Sequence, residues 1–205
     1  MIDLRSLARL AAAPPVPTAE ERCELCGAAI GAAHRHVVEV GARAVLCACP
    51  ACALLFVQPD PGARFRTVPD RVRADPAFAL TADRWAGLGV PVGLAFCVRD
   101  AARGAVTISY PGPAGVVDAE LEPAAWDAIA AASALAAELE PDVEALLLRR
   151  AAAGAALTCY LVPITSAYEL VARLRQTWRG WSGGADAERA LDEFFAELAA
   201  REGRR

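Results

Sequence analysis

Five of the chain's seven cysteines fall between residues 23 and 52. They include two pairs with a two-residue gap, Cys23/Cys26 and Cys49/Cys52. Such a gap lets two thiolates of one turn reach the same ion, and two such turns supply the four sulfurs of a tetrahedral site. The spacing therefore predicts a metal centre on Cys23, Cys26, Cys49 and Cys52. Residues 27–48 separate the pairs, slightly more than a usual ribbon spacing, and a longer leading loop absorbs the excess. Gly27 follows the first pair, where a residue without Cβ turns and presents its amide to sulfur. Ala53 holds that place after the second pair, a less suitable residue.

Cys47 is the surplus thiol of LCACPAC (46–52). Two residues before Cys49, it either packs beside the site or takes the place of Cys49 as a ligand. His34 and His36 are the only histidines, and they lie between the two pairs. Either one replaces a thiolate, or both are hydrogen-bonded loop residues. Zinc suits four thiolates. Iron is the chemical competitor, because CELCG and CPAC resemble rubredoxin knuckles. Rubredoxins shield their iron with several aromatics, whereas Phe56 is the one aromatic between residues 20 and 60, which favours zinc. Four protein ligands leave no position for water, so a structural role is expected over catalysis.

The rest of the sequence offers little chemistry. All 21 basic residues are Arg, so no lysine can form a Schiff base or serve a P-loop. Residues 37–205 hold no histidine, so a Ser–His or Cys–His pair there would have to borrow one from the cysteine segment. Net charge is −4 without a basic run, which argues against nucleic acid. Cys97 and Cys159 lie in apolar stretches and read as buried thiols. Asp118, Glu120 and Glu122 alternate like solvent-facing strand residues, with a carboxylate pair for acid–base work as the alternative. WRGWSGG (178–184) reads as a glycine corner between helices, and Trp178, Trp181, Gly183 and Gly184 are its candidate partner-binding residues.

Elements that would carry these residues follow from periodicity. HVVEV (36–40) and AVLCAC (44–49) alternate as a hairpin between the cysteine turns, the layout of a zinc ribbon. Further strands are expected at 64–69, 91–100, 105–110, 143–150 and 156–162. Helices are expected at 81–87 behind Thr81, at 123–139 behind Pro123, at 166–179 behind Ser166, and at 185–202. The fold class is α+β: a small zinc-ribbon-like hairpin module, then a mostly antiparallel sheet with helices on one face. The expected division is an N-terminal helix and linker (1–20), the ribbon-like module (21–60) and the α+β domain (63–205). Residues 1–17 carry Asp3, Arg5 and Arg9 among leucines, unlike a signal peptide. The uncharged run 151–168 contains Gly154 and Pro163 and makes a poor membrane span. A cytoplasmic protein is expected, where clustered thiols mean metal and not disulfides.

CELCG, LCACPACALLF, WAGLGVPVGLAF, EPDVEALLLRR, YLVPI and WRGWSGG together resemble an uncharacterised family of GC-rich bacteria, over about residues 22–199. Its genes sit beside those of high-affinity nickel–iron hydrogenases and their maturation factors. The resemblance implies a hydrogenase-related role and a protein partner, a hydrogenase subunit or maturation factor. It implies no catalytic residue. The expected function is a non-catalytic, zinc-stabilised accessory protein. The alternative is a rubredoxin-like iron protein that carries electrons or protects against oxygen.

Overall fold

The computed structural model describes residues 21–58, 60, 62–112, 115–150, 157–177 and 183–202. The expected N-terminal helix, the 151–155 link, Gly180, Trp178 and Trp181 lie outside these residues. Two antiparallel sheets form. The smaller consists of β1 (Arg35–Glu39), β2 (Ala44–Ala48) and β3 (Phe65–Thr67) in the order β2-β1-β3. The larger has six strands, β4 (Arg73–Asp75), β5 (Leu94–Arg99), β6 (Val106–Gly112), β7 (Gly115–Glu120), β8 (Glu144–Arg150) and β9 (Leu157–Pro163). Their order is β4-β9-β8-β5-β6-β7, antiparallel throughout. This is the expected α+β class.

Strand β8 anchors the larger sheet. Within EALLLRR the four residues ALLL form a continuous apolar run, and Ala145 to Leu148 are all fully buried. A strand that does not alternate must be covered on both faces. The long helices α5 (Ile164–Thr177) and α6 (Gly184–Glu202) cover one face as expected. There Phe96, Leu147 and Val162 meet Leu170, Leu174, Phe194 and Leu198. The other face is also covered, by α2 (Ala82–Ala86), α3 (Pro123–Ala132) and α4 (Leu135–Glu138). On that side Cys97, Leu146, Leu148 and Leu161 pack against Phe78, Trp85, Ile129 and Leu135. Helices on one face only is thus an incomplete description, because both faces of β5 and β8 are apolar.

Four local differences from the periodicity have physical causes. The strand expected at 64–69 pairs with β1, so it extends the ribbon sheet. The helix expected at 123–139 breaks at Ser133, which is extended (φ −143°, ψ 125°). Its hydroxyl donates to Asp75 (2.6 Å) and accepts from the Leu135 amide (3.3 Å), which starts α4. Helix α5 begins at Ile164, directly after β9, so Ser166 is buried within it and not its cap. Instead, Ser166 Oγ accepts from Arg201 (3.2 Å). Strand β4 is too short to show a period and was missed. Thr81 does cap α2, accepting from the Arg84 amide at 3.3 Å.

The segment joining the two sheets is fastened by an ion pair between a half-buried arginine and a buried carboxylate. Glu144 is fully buried at the start of β8. Arg71 grips both its oxygens, Nε to Oε1 at 2.6 Å and Nη2 to Oε2 at 2.7 Å. The Glu140 amide donates to Oε2 at 3.0 Å. A buried carboxylate is tolerated only when satisfied in this way. Arg71→Ala strands that charge, and it should lower the unfolding free energy by about 3 kcal/mol, measured by urea denaturation. A loss under about 1 kcal/mol would show that water replaces the guanidinium there.

Candidate metal centre

Two turns converge below the ribbon hairpin. In the first, Cys23 N donates to Ala28 O (2.8 Å) and Gly27 N to Cys23 O (2.8 Å). Gly27 sits at φ +76°, the left-handed region that closes such a turn and that a Cβ disfavours. In the second, Cys49 is the N-cap of the short helix α1 (Pro50–Leu54). Its sulfur accepts from the Cys52 amide at 3.4 Å. Pro50 at the first helical position presets this turn, and Ala53 N donates back to Cys49 O at 3.0 Å. Because the second turn continues as helix, Ala53 serves there without the glycine that the first turn requires.

The sulfurs of Cys23, Cys26, Cys49 and Cys52 lie within 4.8 Å of one another. Cys26 and Cys49 approach to 3.8 Å. Cys23 is buried, Cys26 is exposed, and the other two are half-buried. Val37, Ala48 and Ala53 form a small apolar floor with Cys23, flanked by Leu25, Ile30, Phe56 and Phe65. Phe65 comes from β3, so a second aromatic joins Phe56, with ring centroids 5.3 Å apart. The thiols do not ionise independently. Cys23 is lowered to about 6, first by a backbone hydrogen bond from Cys49 and against the effect of burial. Cys52 is pushed up to about 12, first by side-chain hydrogen bonding with Cys26, then with Cys49. Four thiolates at this separation repel, and a bound cation is what allows all four to ionise together. The donor set and the closeness of the sulfurs fit one metal ion.

Cys47, His34 and His36 do not join this group. They form a second one, whose ligand atoms also lie within 4.8 Å of one another. Spacing alone could not separate the two, because the second depends on how β1 and β2 align.

The other candidates are not brought together. Cys97 and Cys159 are buried in the larger sheet. Burial pushes both thiols up, Cys159 to about 12, so they stay protonated and inert. Asp118 accepts from Ser109 Oγ (2.6 Å) on an exposed strand, and Glu122 precedes α3, so no carboxylate pair forms. Gly183 and Gly184 have φ +92° and +78° and set the backbone at the start of α6. A feature the sequence reading passed over is the exposure of Leu54, Leu55 and Val57 (73%, 73% and 56%) just after the second cysteine turn. Their exposure has no sequence signal, since ALLF reads as core.

The model of a family of unknown function, DUF5947, matches residues 22–202. The chain belongs to this family. Neither curated proteins nor solved structures gave a match. The family match spans both sheets and the cysteine cluster. Among the described residues no helix is long and apolar enough to cross a membrane.

Cys23→Ser should release the metal and loosen residues 21–67 while β8 and β9 hold. Amide hydrogen exchange checks this, with protection lost in β1–β3 and kept in the larger sheet. Gly27→Ala keeps every ligand, and it should cost about 1 kcal/mol through its positive φ, read by thermal unfolding of the metal-loaded protein.

Proposed function

We propose that this protein is a non-catalytic accessory protein whose tetrathiolate holds zinc for structural reasons. The observation that carries this reading is that four cysteine sulfurs lie within 4.8 Å of one another, enough to fill a tetrahedral site with thiolates alone. Zinc filled by four thiolates polarises no substrate and activates no water. Partial exposure, with Cys26 at the surface, favours redox-inert zinc over iron. Leu54, Leu55 and Val57 stand exposed beside the cluster, as interaction surfaces do. On this reading the metal fixes the turn that displays them to a protein partner. The sequence resemblance supports a hydrogenase subunit or maturation factor as that partner, in assembly or in function, and the cluster of free cysteines supports the reducing cytoplasm as its location.

Purified protein should be colourless and retain one zinc per chain after a brief chelator wash, by elemental analysis. A red sample that bleaches reversibly on reduction would instead make the cluster a rubredoxin-like iron site. Leu54→Asp with Leu55→Asp should keep the zinc and abolish co-purification of a hydrogenase component at native expression. Failure of the unaltered protein to capture any such component would overturn the partner assignment.

A further inference from the structure

Beside the tetrathiolate lies a second group of metal-ligating side chains that the proposed function does not use. His34, His36 and Cys47 each place a ligand atom within 4.8 Å of the other two. The strand register brings this about. His36 and Cys47 are direct partners across β1 and β2. Cys47 turns its amide to Glu24 Oε2 (2.5 Å) and its carbonyl to the Glu24 amide (2.9 Å), on the outer edge of β2. The His36 carbonyl turns the other way and accepts from the Val68 amide at 3.0 Å. The two residues are therefore a non-hydrogen-bonded pair, the kind whose side chains approach most closely.

His34 completes the group from the preceding loop. Its ring lies 4.7 Å from that of His36 between centroids. Nδ1 donates to Gly31 O at 2.9 Å and has Glu21 Oε2 at 3.4 Å. In the neutral ring this places the proton on Nδ1, which leaves the Nε2 lone pair for a ligand. That Nε2 is buried without a hydrogen-bond partner, on a side chain only 9% exposed. An unsatisfied buried imidazole nitrogen is costly. Imidazole held through its other nitrogen by a carbonyl or carboxylate is the usual arrangement of a metal-bound histidine.

From this geometry we infer a second metal site, His34–His36–Cys47, for a divalent transition ion of borderline softness. Two imidazoles and one thiolate match zinc or cobalt, not magnesium or calcium. Three protein ligands leave a coordination position open, unlike the tetrathiolate. His34 and His36 also line a cleft of about 530 Å³ between the ribbon sheet and α5, with Ser166, Glu169 and Arg201 on its far side. The open position is thus within reach of a small ligand, and an ion there exchanges more readily than the tetrathiolate's.

Cobalt titration of the full chain, after a chelator wash that leaves the tetrathiolate zinc in place, tests the site. One equivalent of cobalt should bind, with visible absorption and a thiolate charge-transfer band. The band should vanish in Cys47→Ala. His34→Ala and His36→Ala should each weaken cobalt binding at least about tenfold. Zinc retained by each variant shows that the ribbon is still folded. Zinc retention with no cobalt uptake by the unaltered chain would overturn this site and leave the tetrathiolate reading standing. Loss of zinc in the wash with histidine-dependent cobalt uptake would do the reverse. Cobalt bound equally well by the histidine and Cys47 variants would also overturn the site.

Discussion

The two turns of the ribbon hold four sulfurs within 4.8 Å of one another, and the small sheet is built around them. Its own apolar floor is Cys23, Val37, Ala48 and Ala53, with half-buried neighbours around it. Small alanine and cysteine side chains bury little area to set against the entropy of ordering two tight turns. A cation shared by both turns would change that balance, because it would remove thiolate repulsion and tie residues 23–26 to residues 49–52 in one step. The first turn then positions Glu24, whose backbone and carboxylate bind Cys47. The edge of β2 is fixed by the same residue that sits between the first two ligands.

The larger sheet needs no such clip. Its central strand is buried on both faces, and each fully buried leucine contributes roughly 2 kcal/mol through removal from water. The two bodies meet where Val38 and Val68 of the ribbon side enter the core formed by α5 and α6. Arg66 reinforces the contact by donating to Pro141 O (2.7 Å), and Arg71 by gripping Glu144. Arginine suits these positions, since its planar fork satisfies two acceptors at once and stays charged when half-buried. A chain whose cations are all arginine has these fasteners throughout, including Arg149 to Asp192 and Arg173 to Glu197.

How much could be read from the sequence follows from how local each cause is. The cysteine pairs were legible because a two-residue gap constrains one turn, whatever surrounds it. Strands β5, β6, β8 and β9 were legible from apolar runs, and α2 from its threonine cap. The division of β3 to the ribbon was not, because pairing partners lie far apart in sequence and FRT suits either sheet. The break at Ser133 was hidden for a similar reason. Its hydroxyl is held by Asp75, which is distant in the chain. Helical periodicity through 123–139 carries no trace of that partner.

Cys47 shows the same principle at the site itself. Within a strand, residues two apart share a face, and on that rule Cys47 belongs beside Cys49. The strand ends at Ala48, however, and Cys49 already caps α1. The rule therefore stops one residue short of the pair to which it was applied. What replaces it is register: Cys47 lies opposite His36, and His34 folds over both. One seven-residue stretch thereby supplies sulfur to two groups of different character. One is closed by four thiolates and suited to holding a shape. The other is a mixed nitrogen and sulfur set whose two histidines line a cleft. The local code of the turn specifies the first, and the alignment of two strands specifies the second.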